Sequence, residues 1–496
     1  MNRDLRCAST ASPGLAASVH NLSGVAAYGE FRFSESGDFI YFTRVVDNIT
    51  NIYRSQLGDP ASTVQITAAT TIRSELGEWL VAESTGHLVY ADCLLRTVNG
   101  CGLGIVDLDS PGQVLRLSTG TMLPENLALT PDHQTVVYRT PQLAAADLDG
   151  GEQRELSFAG ANWIPSFDIA SNGQRVVYRA IADPGDPVAR VYIVPTAGGA
   201  SMEVPWPVQN LEDNVIAFAV SPDGSQVAFI VQRQSDSGPL GRELFVASVL
   251  GVAPTVLLDN DVGDSLQYPV GDATLAYQAG GGIKVVDTEL AASPVLLPQS
   301  AKLNQLIWAP TLNKLVYNDK FTLKQTRSIT GVNSDGSNAV AYFLGPKLSD
   351  PSFVGYSPAA DRVYYLFDQD TSGSDHYKLE SVGSDGSVLQ SHSPDLGEAA
   401  SAGIELGWSP PQLNANQTAL VLVERIPEGS SFTNVLYREN LTGSQARQTL
   451  AAGDSVSFLI SPSDPDTLIY ITEDASVFLV QFREEVFADG FETIPQ

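Results

Sequence analysis

The sequence predicts an all-β fold: a β-propeller built from about ten four-stranded repeats, closed as a single ring. Three observations predict it. One unit of alternating apolar strands recurs along most of the chain, a turn signature punctuates it every 39 to 52 residues, and no helical period competes. Four strands and their turns need about that much chain, and propeller blades repeat at ~40–50 residues.

The clearest unit starts at Ile216 and reads IAFAVSPDGSQVAFIVQRQSDSGPLGRELFVASVLGVAPTVL. It contains a short apolar strand, a Ser-Pro-Asp-Gly turn, an alternating strand, a polar loop, a third strand, a glycine turn and a closing strand. Pro222 presets φ for the first turn, and Gly224 takes a conformation that a Cβ resists. Val, Ile and Phe at alternate positions are the mark of packed strands. In chain order the same unit begins at Phe31, Leu80, Leu127, Phe167, Ile216, Leu266, Leu306, Val354, Leu406 and Phe458. The corresponding turns fall near Ser34, Glu83, Thr130, Ala170, Ser221, Val270, Ala309, Ser357, Ser409 and Ser461.

A single blade cannot bury both faces of its sheet, so stability must come from stacking blade on blade. Three segments follow: residues 1–28 as an N-terminal segment, 29–485 as the propeller and 486–496 as a tail. The last repeat is short of one strand, and residues 15–28 are the natural donor for ring closure.

The stretches SPDGSQVAFIVQR, VYIVPTAGG and GVNSDGSN resemble the WD-like repeat of the TolB family. That resemblance implies the propeller alone. TolB carries a separate α/β domain ahead of its propeller, and 28 residues are too few for one. Its role in envelope integrity is therefore not carried over. The terminal DGFE resembles a short motif of exported proteins from some Gram-negative bacteria, and a periplasmic or secreted location is the expectation.

Composition narrows the function. With 57 acidic against 28 basic residues, a formal −29, the chain is not built to neutralise phosphates. No apolar run reaches the ~20 residues of a membrane-spanning helix. Residues 1–18 lack the apolar core of a signal peptide. Cys93 and Cys101 flank a short loop that a disulfide could close; two free thiols are the alternative.

The loops between second and third strands are long and acidic, whereas the opposite turns are tight. The expected partner-binding residues therefore sit in those loops: Asp47, Asp183, Asp186, Arg233, Asp236, Asp368, Asp370, Asp375 and Glu428. An arginine also recurs at the end of the second strand, at Arg44, Arg139, Arg179, Arg233 and Arg425. Its structural reading is pairing with an acid of its own or the neighbouring blade; its functional reading is anion binding.

No catalytic residue, cofactor or metal site is expected. The histidines (His20, His87, His133, His376, His392) lack ligand spacing, and the DLDG at Asp147–Gly150 reads as a turn. No GxSxG elbow is present. The expectation is a non-catalytic propeller that recognises a protein or glycan. The alternative is a polysaccharide hydrolase or lyase working from the axial pocket.

Overall fold

A computed structural model describes residues 15–21, 31–46, 49–57, 59–67, 74–94, 101–120, 125–150, 152–158, 160–161, 163–183, 186–210, 212–235, 238–251, 253–268, 274–279, 282–288, 294–297, 306–319, 326–333, 335–346, 351–368, 377–392, 411–428, 431–441, 448–453, 456–460, 467–472 and 477–484. Its strands form ten four-stranded sheets, and the chain is an all-β propeller. Numbered along the chain, the blades occupy 31–65, 74–120, 125–155, 163–203, 214–260, 262–296, 307–346, 352–391, 412–453 and 456–484. In the tenth, the outermost strand is Leu15–Asn21, paired antiparallel with Val477–Glu484. Every other sheet runs in sequence order from its first, innermost strand to its fourth.

The chain divides into two compact units. One holds the first, ninth and tenth blades with the turn Ser357–Asp361; the other holds blades two to eight. In this larger unit each blade packs on the next through its own apolar cluster. Val177, Val191 and Ile193 of the fourth blade meet Val215, Val227, Phe229 and Phe245 of the fifth, all at most 1% exposed. The other face of the fifth blade turns Ala228 and Ile230 toward Leu275 and Tyr277 of the sixth. Successive side chains of one strand thus serve opposite neighbours, because strand periodicity is two. That is why Val227–Val231 reads as an unbroken apolar run.

The tight turns repeat one backbone device. Gly37, Gly86, Gly173 and Gly224 have φ near +70 to +78°, and His133, Asn313, Asp361 and Gln417 take the same left-handed region at +51 to +60°. In the fifth blade the turn is held by Ser221, whose Oγ accepts from Gln226 N at 2.9 Å, while Asp223 accepts from Ser225 N at 3.1 Å. The turns also stack between blades: a Cβ on Gly224 would lie 2.9 Å from Ser171 N of the fourth blade.

One expectation falls outside the described residues and another needs correction. Ser409 is not among the described residues; among them, the ninth blade has a turn from Asn414, whose Oδ1 accepts from Thr418 N and Ala419 N at 2.8 Å. The strand before it, Gln412–Leu413, pairs with Leu420 and Val421. The expected long loops are, in four blades, extensions of the strands themselves. Gln226–Ser235 and Gly238–Ser248 pair down to Ser235↔Gly238, and Arg175–Asp183 pairs with Asp186–Pro195 down to Asp183↔Asp186. Ala419–Glu428 and Ser431–Asn440 do the same, as do Phe39–Val46 and Ile49–Gln56.

Candidate functional site

Three of the five recurring arginines, Arg139, Arg179 and Arg233, are braces; Arg44 lies over the Tyr53 ring, and the Arg425 side chain is outside the described residues. Arg139 Nη1 donates to the carbonyl of Ile164 in the next blade at 3.0 Å, and the same guanidinium pairs with Glu125 of its own blade. Arg179 donates to the carbonyls of Val215 and Ile216, again in the next blade, and covers the Trp163 ring. Arg233 is the most enclosed of the three, at 4% exposure. Its Nη1 meets Asp213 Oδ2 at 2.7 Å, its Nε meets Glu243 Oε2 at 2.8 Å, and it lies over the rings of Trp206 and Phe245. Arg233 is thus not an exposed loop contact, and its place among the expected partner-binding residues is corrected: its charge is used within the blade.

Asp213 anchors this arrangement from the link between the fourth and fifth blades. Its carboxylate, fully buried, also accepts from the backbone N–H of Gln209, Asn210 and Gln234, each at 3.0 Å. Burial alone would raise the Asp213 carboxyl, but the N–H donors of Gln234 and Asn210 and the Arg233 guanidinium outweigh it and hold it below the usual range.

Above this brace stands the fifth-blade hairpin. First-strand pairing ends at Asn214↔Gln232, so residues beyond Arg233 project past the body of the sheet. Gln232 Nε2 donates to the Gly241 carbonyl at 2.8 Å, and Arg242 Nε donates to Gln232 Oε1 at 2.8 Å, which ties the two legs together. Near the tip, Leu240 is 68% exposed. A rigid base with an exposed apolar tip is suited to recognition, since little ordering entropy remains to be lost on contact.

A second feature lies on the innermost strands of the third and fourth blades. A cleft of ≈ 550 Å³ is lined by residues 126–129, Pro131 and 165–169. Pro165 is tolerated because Trp163–Ile169 is the edge strand of its sheet. Two acids cap free edge N–H groups in this region: Glu78 accepts from Leu127 N at 2.7 Å and Asp168 from Ile169 N at 2.9 Å. Asp168 is exposed at its surface, yet the inner strands around it raise its carboxyl above the usual range, against the lowering effect of N–H donors from Ile169 and Val220. Asp132, Asp147 and Asp223 behave oppositely. Each is held low, Asp132 chiefly by the Thr130 hydroxyl and Asp147 by Arg154, while in Asp223 burial is outweighed by Ser221 and Ser225.

The remaining expected residues scatter. Asp183 and Asp186 face each other across the fourth-blade hairpin, Glu428 ends a strand of the ninth, and Asp368 ends Arg362–Asp368 of the eighth. Asp47, Asp236, Asp370 and Asp375 lie outside the described residues. Cys101 is disulfide-bonded, and Cys93 stands directly opposite it in the strand register. Of the histidines, His133 meets Ser84 of the neighbouring turn at 2.9 Å and His392 meets buried Ser381 at 2.7 Å. Asp147 is taken up by Arg154 at 2.8 Å and by the Thr135 hydroxyl at 2.9 Å, within a turn.

Sequence reasoning missed Asp213, Leu240 and Asp168. Asp213 could have been suspected as an acid at a blade link preceding a strand with a terminal arginine. Nothing in the sequence marks Asp168 off from other acids.

The class these elements define is the β-propeller. Comparison with known proteins finds no matching family model and no matching curated protein. Among solved structures the chain is similar to a putative TolB from Agrobacterium tumefaciens, at 16% identity over 56% of this chain and 83% of that one, with a TM-score of 0.26. It is similar also to dipeptidyl peptidase 4 of Porphyromonas gingivalis, at 10% identity over 86% of this chain and 60% of that one, TM-score 0.48. A third is an oligogalacturonate lyase of Vibrio parahaemolyticus, at 11% identity over 80% and 95% of the two chains, TM-score 0.35.

Proposed function

We propose that this propeller is a non-catalytic binding module that recognises a protein or glycan partner through the side bearing its projecting hairpins. The observation that carries the reading is the fifth-blade hairpin, with exposed Leu240 above the Asp213–Arg233–Glu243 brace. Rigid anchoring of an accessible apolar tip is what a recognition surface needs. The proposed setting is outside the cytoplasm, where a disulfide at Cys101 persists.

The test is affinity capture from envelope and secreted fractions with the oxidised chain as bait, alongside Leu240→Asp. A dominant partner, retained by the wild-type chain and lost by a variant of unchanged melting temperature, is the expected result. Identical capture by both proteins would refute the hairpin as the recognition element. Turnover of a polysaccharide by the wild-type chain would refute the non-catalytic reading.

A further inference from the structure

We propose that the outer rim of the sixth to eighth blades is the surface through which two copies of this chain pair. The rim is built from fourth strands and the turns that lead into them, apart from the projecting hairpins.

A fourth strand is the free edge of its sheet, and proteins guard such edges with charge. In the larger unit, blades two to five follow that rule. Their fourth strands carry Arg116, then Arg154 and Glu155, then Glu203, then Asp259. The next three depart from it: Val295–Leu296, Val340–Pro346 and Gln390–Ser391 contain no Asp, Glu, Lys or Arg. These strands and the residues leading into them expose apolar groups instead, with Val295, Leu296, Leu344 at 71%, Val388 at 74% and Leu389 at 62%. Turn glycines join the three edges. A Cβ on Gly336 of the seventh blade would lie 2.9 Å from Val295 Cγ1 of the sixth. One on Gly386 of the eighth would lie 3.1 Å from Val340 Cγ1 of the seventh. The three edges therefore form one rim, and contiguous apolar surface marks a contact.

Val388 adds a second observation. Its φ is +50°, a region that β-branched residues avoid and that Gly or Asn enters readily. Arg362 Nη2 holds its carbonyl, which fixes the backbone, yet the side chain stays exposed and the blade itself gains little from a valine there. Strain kept at an exposed position is a mark of functional sites.

Charge selects the occupant. Asp335 and Asp385 cap Ser337 N at 2.9 Å and Ser387 N at 2.8 Å in the turns bordering the rim. Lys314 and Arg362 hold the carbonyls of Asn338 and Val388 beside them. These acids and bases balance within a chain of formal charge −29. A basic partner would be steered to the acidic remainder of the surface. A second copy carries the same −29 and can approach only where that charge is absent. Two-fold pairing also sets the patch against itself and lets the bases of one border meet the acids of the other.

Sedimentation velocity of the full oxidised chain over a concentration series tests the pairing. A monomer–dimer equilibrium with Kd on the order of 10 μM is expected for so small a contact. Leu344→Asp places a charge in the contact and should abolish the dimer. Val388→Asn removes the apolar group but suits the backbone, so it should weaken pairing about tenfold without lowering the melting temperature of the dilute chain. Leu115→Asp, the same kind of change on the outer strand of the second blade, and Leu240→Asp at the hairpin tip should both pair as the unaltered chain does. A chain that stays monomeric to about 200 μM would overturn the proposal. So would a dimer that survives both Leu344→Asp and Val388→Asn, or a lower melting temperature in Val388→Asn, which would give Val388 a role inside its own blade. In the monomeric case, a different polypeptide captured by the unaltered chain and lost by Leu344→Asp would take the place of the second copy.

Discussion

Removing the Asp213 carboxylate should unfasten the fifth blade from the fourth, and the structure sets the scale of the loss. The side chain is fully buried and takes the Arg233 guanidinium at 2.7 Å together with three backbone N–H groups at 3.0 Å. In Asp213→Ala, Arg233 keeps Glu243 and the Pro207 carbonyl but loses one of its two countercharges at 4% exposure, and three backbone N–H groups lose their acceptor. Breaking a buried pair by deleting one partner costs about 3–5 kcal/mol, because the stranded charge retains its desolvation penalty. With a urea m-value of roughly 3 kcal/mol/M, the midpoint should fall by about 1–1.7 M. The double variant Asp213→Ala/Arg233→Met removes the stranded charge and should recover a good part of that loss. Urea unfolding followed by tryptophan fluorescence, with hydrogen exchange at the Gln234 amide as a local readout, reports both effects. A loss under about 1 kcal/mol in the single variant, or no recovery in the double one, would refute the brace.

Three further outcomes follow from other parts of the chain. Gly224→Ala and Gly86→Ala both place a Cβ at φ near +70°, but only the first meets a neighbour, Ser171 N at 2.9 Å. Denaturant titration should show about 1 kcal/mol lost for Gly86→Ala and about 2–4 for Gly224→Ala; equal losses would argue against turn stacking between blades. Asp132, Asp147, Asp213 and Asp223 are held low in the fold, so their stabilisation is complete above their unfolded pKa of about 4 and is lost as pH falls through the folded values. Asp168 has the opposite sign: its raised carboxyl costs stability once ionised, so Asp168→Asn should be no less stable at neutral pH, as a pH series of urea midpoints would show. Cys101→Ser should lower stability by about 2–3 kcal/mol for so short a ring, and mass mapping of the non-reduced digest should find Cys101 joined to Cys93.

The propeller was legible in the sequence because its physics is local and repeated. Ser-Pro-Asp-Gly turns, alternating strands and a spacing near that of a blade each depend on a few neighbouring residues, so ten copies declare themselves even when several are degenerate. Where a local signal was ambiguous, the reading slipped. In the ninth repeat the described turn is made by Asn414 and Gln417, residue types that the Ser-Pro-Asp-Gly signature does not mark.

The tertiary structure alone decided which charges are spent and which are free. Arg233 and Asp213 are 20 residues apart, and the sequence marked only Arg233, as a loop contact, yet packing at a blade link buries both, with Arg233 over Trp206. Polar stretches such as Arg233–Glu243 look like loops because composition records solvent exposure, and a projecting hairpin is as exposed as a loop while being paired down to Ser235↔Gly238. Asp168 is one acid among 57 in the sequence; only the convergence of inner strands around it changes its carboxyl. Periodicity is a property of the chain, but desolvation is a property of what the fold brings near, and the candidate sites are defined by the second.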